Sequence, residues 1–83
     1  MKYIARVEVG LKPGHSDPEG ETTRVSLLEL NYSVEEVRVS KVYKILLEAS
    51  SLEEAKRKVE EMCRRLLANP VKDDYRINVE EAE

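Results

Sequence analysis

His15 is the only histidine of the chain, and it lies beside Ser16 and Asp17, where an imidazole, a hydroxyl and a carboxylate could share a proton or a metal ion. Acid–base catalysis needs a histidine that other groups orient, and a zinc site needs three or four ligands. This cluster offers at most two ligands. We therefore expect no metal site and no catalytic residue, and we interpret His15 as a solvated loop residue next to a helix N-cap.

Cys63 is the single cysteine, so no disulfide can form within the chain, a usage typical of the reducing cytoplasm. A reactive thiolate needs a histidine or a second cysteine nearby to lower its pKa. Cys63 instead follows Met62 at the border of an apolar stripe. We expect it to be a small buried hydrophobic residue.

Three further segments could contact a ligand or a partner. The segment 10–14, Gly-Leu-Lys-Pro-Gly, occupies the place of a phosphate loop between a strand and a helix, but it has neither the Walker nor the three-glycine pattern. It is either a plain turn or a loop that contacts a partner. Lys41 interrupts an apolar series and is either solvated at a bend or directed at a neighbouring subunit. Asn69-Pro70-Val71 is typical of the end of a helix.

Length and composition limit the class of protein. The 83 residues carry 14 Lys+Arg against 17 Asp+Glu, a net charge of −3 that disfavours nucleic acid as a partner. With 41% hydrophobic residues, four Tyr and no Phe or Trp, we expect one folded domain spanning 1–83 with a thin core, which favours self-association. No apolar run suits a signal peptide or a membrane span, so we expect a cytoplasmic protein. The excess of Glu over Asp resembles hyperthermophile composition.

The first half of the chain predicts a strand and then a helix. Apolar residues at the odd positions from Tyr3 to Leu11 indicate a strand with one buried face. Asp17 and Pro18 are typical of an N-cap and a first helical position, and Asn31 of a left-handed helix end.

In the second half, the odd positions from Val37 to Ala49 are again largely apolar, with an interruption at 40–42. This pattern indicates either two strands joined by a tight bend or one long bent strand. Ser51 with Glu54 forms a capping box that begins a second helix, and the alternation around Ile77 predicts a last strand.

The resulting order, β-α-β-β-α-β, predicts an α+β two-layer sandwich: an antiparallel sheet with two helices on one face, whose exposed edges allow sheets to pair in a dimer. RNA-recognition domains share this order, but they need aromatic residues on central strands, and Arg38–Val42 has none. The residues alone indicate a small binding or subunit module. A stand-alone dimeric module that binds a small regulatory ligand remains the alternative.

Three blocks of sequence together resemble the PurS family, the small subunit of multi-subunit phosphoribosylformylglycinamidine synthase. The first, Leu11-Lys12-Pro13-Gly14 with Asp17-Pro18 and Gly20, resembles L-K-P-G-x-x-D-P-x-G. The second, Val37 to Lys41, resembles V-R-x-G-K. The third, Cys63 to Val71 with Asp74-Tyr75, resembles C-x-x-L-L-A-N-P-V-x-x-D-Y. Order and spacing agree over almost the whole chain.

The resemblance implies a ligase complex of purine biosynthesis in which this subunit has no catalytic site and no cofactor of its own. A glutaminase subunit would release ammonia, and a large synthetase subunit would use ATP and Mg²⁺ to convert formylglycinamide ribonucleotide to the amidine. The small subunit would form a homodimer, bridge the other two and assist ammonia transfer. We expect the partner interface to include Lys12, Pro13, Gly14, Asp17, Lys41, Asn69, Pro70 and Val71.

Overall fold

The computed structural model describes residues 1–82, which contain three strands and two helices. In chain order these are β1 (Lys2–Leu11), α1 (Pro18–Glu29), β2 (Lys41–Glu48), α2 (Leu52–Met62) and β3 (Asp73–Glu81). A single π-helical turn, Cys63–Leu67, continues α2. The strands form one antiparallel sheet in the order β2-β1-β3, so the α+β class and the antiparallel sheet are confirmed.

β1 lies at the centre of the sheet and supplies most of its buried side chains. Tyr3, Ala5, Val7 and Val9 are all buried, whereas the even-numbered residues between them point to the opposite, open face. The alternation predicted from the sequence therefore separates the side chains of β1 that lie in the core from those that face solvent.

α2 covers the buried face of the sheet, and the predicted capping box begins it. The Ser51 hydroxyl accepts a hydrogen bond from the Glu54 N–H at 3.1 Å, and the Glu54 carboxylate accepts one from the Ser50 N–H at 2.7 Å. The bond from Ser50 is the main reason that the pKa of Glu54 is lowered. Along the helix, Ala55 and Val59 have no exposed surface, because they pack on β1 and β3.

α1 begins and ends where the sequence predicts but does not pack as predicted. Asp17 is its N-cap, Pro18 is its first residue, and Asn31 follows it with a φ of 72°. Of its twelve residues only Gly20 is buried, and the helix does not lie on the sheet. Within residues 1–82, a second helix packed on the sheet is therefore not observed. The first turn of α1 lies against residues 37–39 instead.

The strand count also differs from the predicted four. Residues 37–40 lie outside the sheet, and β2 is one strand that starts at Lys41 opposite Val9. Beyond Val9, β1 pairs only with β3. The Val39 N–H donates instead to the Asp17 carboxylate at 2.8 Å, so this segment is held by a side chain and not by a neighbouring strand.

No helix formed by residues 1–82 combines the length and the apolar character needed to cross a membrane.

Candidate functional site

All eight predicted interface residues lie at one end of the sheet. β1 ends there at Leu11, and β2 and β3 begin there at Lys41 and Asp73. The register places Lys41 opposite Val9 and Asp73 opposite Leu11. We call residues 12–17, 37–41 and 68–73 the loop end. The antiparallel topology therefore brings together three segments that are far apart in the sequence.

The first loop is tied to the corner that precedes β3. The backbone N–H of Lys12 donates to the Lys72 carbonyl at 2.7 Å, and the Lys12 ammonium lies 2.9 Å from a carboxylate oxygen of Asp74. The His15 N–H donates to the Lys12 carbonyl at 3.2 Å and closes a turn with Pro13 and Gly14 at its tip. Gly14 has a φ of 89°, a conformation that favours glycine. Pro13 and Gly14 are consequently held in place while both remain exposed.

Asp17 joins α1 to the middle segment of the loop end. One oxygen of its carboxylate accepts from the Gly20 N–H at 2.9 Å, and the other accepts from the Val39 N–H at 2.8 Å. The bonds from Val39 and then Gly20 hold the pKa of this carboxyl below its ordinary value. Gly20 lies so close to the Val37 carbonyl oxygen that a Cβ on it would overlap that atom. The spacing of Asp17, Pro18 and Gly20 thus has a local structural explanation.

Arg38 is the residue of this site that the sequence reasoning missed. Its guanidinium donates to the backbone carbonyls of Leu11, Lys12 and His15 at 3.2, 3.4 and 3.4 Å. Several donors in one rigid plane allow a single guanidinium to collect carbonyls that one loop presents together. Its position in the second block of the resemblance was a signal that Arg38 belongs to the site. The sequence does not show that the carbonyls of the first loop lie around its guanidinium.

The third segment, Asn69-Pro70-Val71, forms a corner that fixes itself. The Asn69 side-chain oxygen accepts from the Val71 N–H at 2.9 Å, and the Asn69 N–H donates to the Asp73 carboxylate at 2.8 Å. Pro70 and Val71 point outward, and Val71 is 76% exposed. Asn69 therefore shapes the corner, while Pro70 and Val71 form its outer surface.

Two depressions connect the three segments. One of about 430 Å³ includes Lys12 and Pro70 together with Cys63. The other, of about 440 Å³, includes Asp17 and Lys41 and reaches Asp73. Lys41 is exposed, and among residues 1–82 its ammonium forms no ion pair. The two depressions meet at Asp73, and between them they include Lys12, Asp17, Lys41 and Pro70 of the predicted residues.

The chemistry available at the loop end is limited. Burial is the main reason that the pKa of the Cys63 thiol is raised, with a smaller contribution from Glu60, so the reactive thiolate is disfavoured. Glu60 accepts a hydrogen bond from the Tyr75 hydroxyl at 2.7 Å, which raises the pKa of that tyrosine. Residues 1–82 contain no group of three His, Cys, Asp or Glu side chains that could hold a metal ion.

The sequence matches a protein family described as "PurS: Phosphoribosylformylglycinamidine (FGAM) synthase" over residues 4–81. The chain belongs to the PurS family. A relative from Methanothermobacter thermautotrophicus, named phosphoribosylformylglycinamidine synthase subunit PurS, is 40% identical over 83 residues, which cover 100% of this chain and 99% of the relative.

Solved PurS structures share the fold from end to end. The crystal structure of Methanocaldococcus jannaschii PurS, one of the subunits of formylglycinamide ribonucleotide amidotransferase in the purine biosynthetic pathway, is 44% identical with a TM-score of 0.86. The match covers 98% of this chain and 99% of that one. A chain in the structure of PurLQS from Thermotoga maritima is 30% identical with a TM-score of 0.85. That match covers 96% of this chain and 99% of the Thermotoga chain.

In this member of the PurS family, the three sequence blocks meet at one end of the sheet. In this member the first block supplies the loop around Gly14 and the cap of α1, the second supplies Arg38 and Lys41, and the third supplies the corner at Asn69. All three blocks contribute to the loop end.

Proposed function

We propose that this chain is the small, non-catalytic subunit of a cytoplasmic phosphoribosylformylglycinamidine synthase. The complex would convert formylglycinamide ribonucleotide to the amidine with glutamine as the nitrogen donor. The observation that carries the proposal is the end-to-end likeness to PurS chains, including one from a PurLQS structure, at 96–100% coverage of this chain.

In this proposal the chain acts as a single domain that forms a homodimer and bridges a glutaminase subunit and a large synthetase subunit. ATP and Mg²⁺ belong to the synthetase subunit, and this chain needs no cofactor. Its contribution is to hold the two active subunits in the arrangement that passes ammonia from one to the other without release into water.

The loop end is the surface that we assign to these contacts. Its interior polar groups already have partners, since Asp17 binds two backbone N–H groups and Asn69 closes its own turn. The exposed residues lie on a backbone that these hydrogen bonds hold, and they are chemically varied, with Pro13, Lys41 and Val71 on the outside. A surface on a preformed backbone binds at a lower entropic cost, because little ordering of the backbone is needed on contact.

Reconstitution of the three subunits tests the proposal. Turnover is measured with glutamine and, separately, with ammonium chloride as the nitrogen source. Omission of this chain is expected to abolish most glutamine-dependent turnover while ammonium-dependent turnover by the synthetase persists. Unchanged glutamine-dependent turnover without the chain would contradict the proposed function.

Variants then test the assignment of the surface. We expect Lys41→Glu and Val71→Asp to impair copurification with the other subunits, whereas the isolated variants keep the wild-type circular dichroism spectrum, because both side chains are exposed. Lys2→Glu is the matched control, since Lys2 is an exposed strand-terminal lysine at the opposite end of the sheet. Unaltered copurification of both variants would remove the loop end from the interface.

A thermal-shift screen of nucleotides and amino acids checks the regulatory alternative, which requires that a ligand stabilises the isolated chain.

A further inference from the structure

Arg38 binds the first loop, residues 11–16, on both of its sides. Nη2 of the guanidinium donates to the carbonyls of Leu11 and Lys12 at 3.2 and 3.4 Å, on the side that follows β1. Nη1 donates to the His15 carbonyl at 3.4 Å, on the side that leads to α1. The exposed tip of the loop lies between these attachments. One planar group therefore joins the two sides of the loop across its base.

The tip of this loop has little else to hold it. Besides the bonds of Arg38, the two sides are joined by the hydrogen bond from the His15 N–H to the Lys12 carbonyl at 3.2 Å. Gly14 is at the tip with a φ of 89°, and a Cβ on it would meet no atom within 4 Å, so no neighbouring segment packs against it. A glycine that nothing restrains can adopt many backbone conformations. The fixed shape of the tip therefore depends largely on Arg38.

The shape of the Arg38 side chain matters for these contacts more than its charge. Among residues 1–82 Arg38 forms no ion pair, and it is exposed, so neither charge pairing nor burial explains its position. A guanidinium presents several donors in one rigid plane, whereas a lysine carries the same charge on a compact ammonium. A lysine at position 38 would therefore keep the charge but could not bind both sides of the loop at once.

We propose that Arg38 is a positioning residue of the synthase, which holds the first loop in the conformation that a larger subunit binds at the tip, Pro13 and Gly14. The inference rests on the proposed function and deepens it, because it names the residue that preforms this part of the loop end. A loop that becomes ordered only during binding lowers the affinity, whereas a loop that is ordered beforehand does not. Loss of Arg38 should therefore weaken the binding of the chain without changing the activity of the complex once it has formed.

Nitrogen-15 relaxation of the isolated chain tests whether Arg38 orders the loop. Amide order parameters of residues 14–16 should be about 0.85 in the wild type and fall below about 0.6 in Arg38→Ala and in Arg38→Lys. Arg57→Ala is the matched control, since Arg57 is exposed on α2 and its ion pair, at 3.7 Å, is with Glu54 of the same helix. Equal order parameters in Arg38→Ala and Arg57→Ala would overturn the inference. A fully ordered loop in Arg38→Lys would contradict the role of the planar guanidinium.

Titration of the chain into the other two subunits tests whether the ordered loop serves binding. We expect Arg38→Ala to raise the concentration of chain that gives half-maximal glutamine-dependent turnover on the order of tenfold, and to reach the wild-type plateau. Arg57→Ala should follow the wild-type curve. An Arg38→Ala curve that coincides with the wild type, or one with a lowered plateau and an unchanged midpoint, would overturn the inference and leave the proposed function standing. Glutamine-dependent turnover that does not need the chain at all would instead contradict the proposed function.

Discussion

Gly20→Ala is the substitution that tests most directly how α1 is attached to the loop end. Alanine is favoured over glycine in an exposed helix by about 1 kcal/mol, so without a close neighbour the change would stabilise the protein. Here the new Cβ overlaps the carbonyl oxygen of Val37, a backbone atom that cannot rotate away. A normal contact requires the first turn of α1 to retreat by on the order of 1 Å. The close approach should therefore reverse the sign of the effect.

The expected magnitude follows from these opposing contributions. Overpacking in a fixed environment costs about 1–3 kcal/mol, and the rigidity of the Val37 carbonyl places this site at the upper end. After the gain in helix propensity, a net loss of about 1–2 kcal/mol remains. For a chain of this length each kcal/mol lowers the melting temperature by about 4–8 °C. We expect a fall on the order of 10 °C in thermal unfolding followed by circular dichroism, at one fixed protein concentration.

Gly10→Ala is the control for this substitution. Its Cβ would lie 2.8 Å from the Ser40 hydroxyl oxygen, the end of a side chain that can rotate away. Since Gly10 is in β1, an alanine there also reduces the entropy lost on folding, and the melting temperature should stay constant or rise. If Gly20→Ala raises the melting temperature as Gly10→Ala does, the first turn of α1 is not seated against Val37 in solution and the account of the loop end fails.

Two further predictions concern titration and reactivity. The pKa of Asp17 is lowered chiefly by the Val39 N–H, so its carboxylate contributes stability above the unfolded pKa of about 3.9, and this stability is lost as the pH falls through the lower folded pKa. The difference in unfolding free energy between the wild type and Asp17→Asn, measured by urea unfolding, should therefore be large at pH 6 and small at pH 3. An equal difference at both pH values would show that the charge of Asp17 does not stabilise the fold. Burial raises the pKa of Cys63, so iodoacetamide at pH 8 should alkylate the native chain much more slowly than the chain in urea, and equal rates would contradict the buried position.

Local signals in the sequence were reliable because their physical causes are local. The cap at Asp17, the left-handed Asn31 and the box of Ser51 with Glu54 each depend on atoms within a few residues, and the structure confirms all three. The alternation in β1 was equally informative, since one face of the central strand is buried from Tyr3 to Val9.

Features that depend on distant parts of the chain could not be predicted in the same way. The alternation at Val37 and Val39 indicated a strand, but a strand needs a neighbour, and β1 has none to offer beyond Val9 on that side. The three carbonyls that Arg38 binds belong to a loop 23–27 residues earlier. The place of α1 is also non-local, and its apolar residues do not reveal whether they face this sheet or another.

The hydrogen bonding within the loop end favours a role in assembly over a role in catalysis. A catalytic site keeps polar groups free and poised to react with a substrate. Here Asp17 and Arg38 are bound by backbone groups of neighbouring segments, and Asn69 is bound by the Val71 N–H of its own corner. Their hydrogen bonds stabilise three irregular segments in one arrangement. The outer surface of this arrangement has Pro13, Lys41 and Val71 exposed on it. In the proposed complex, such a surface would hold two larger subunits at a fixed distance for ammonia transfer, and it would do so without chemistry of its own.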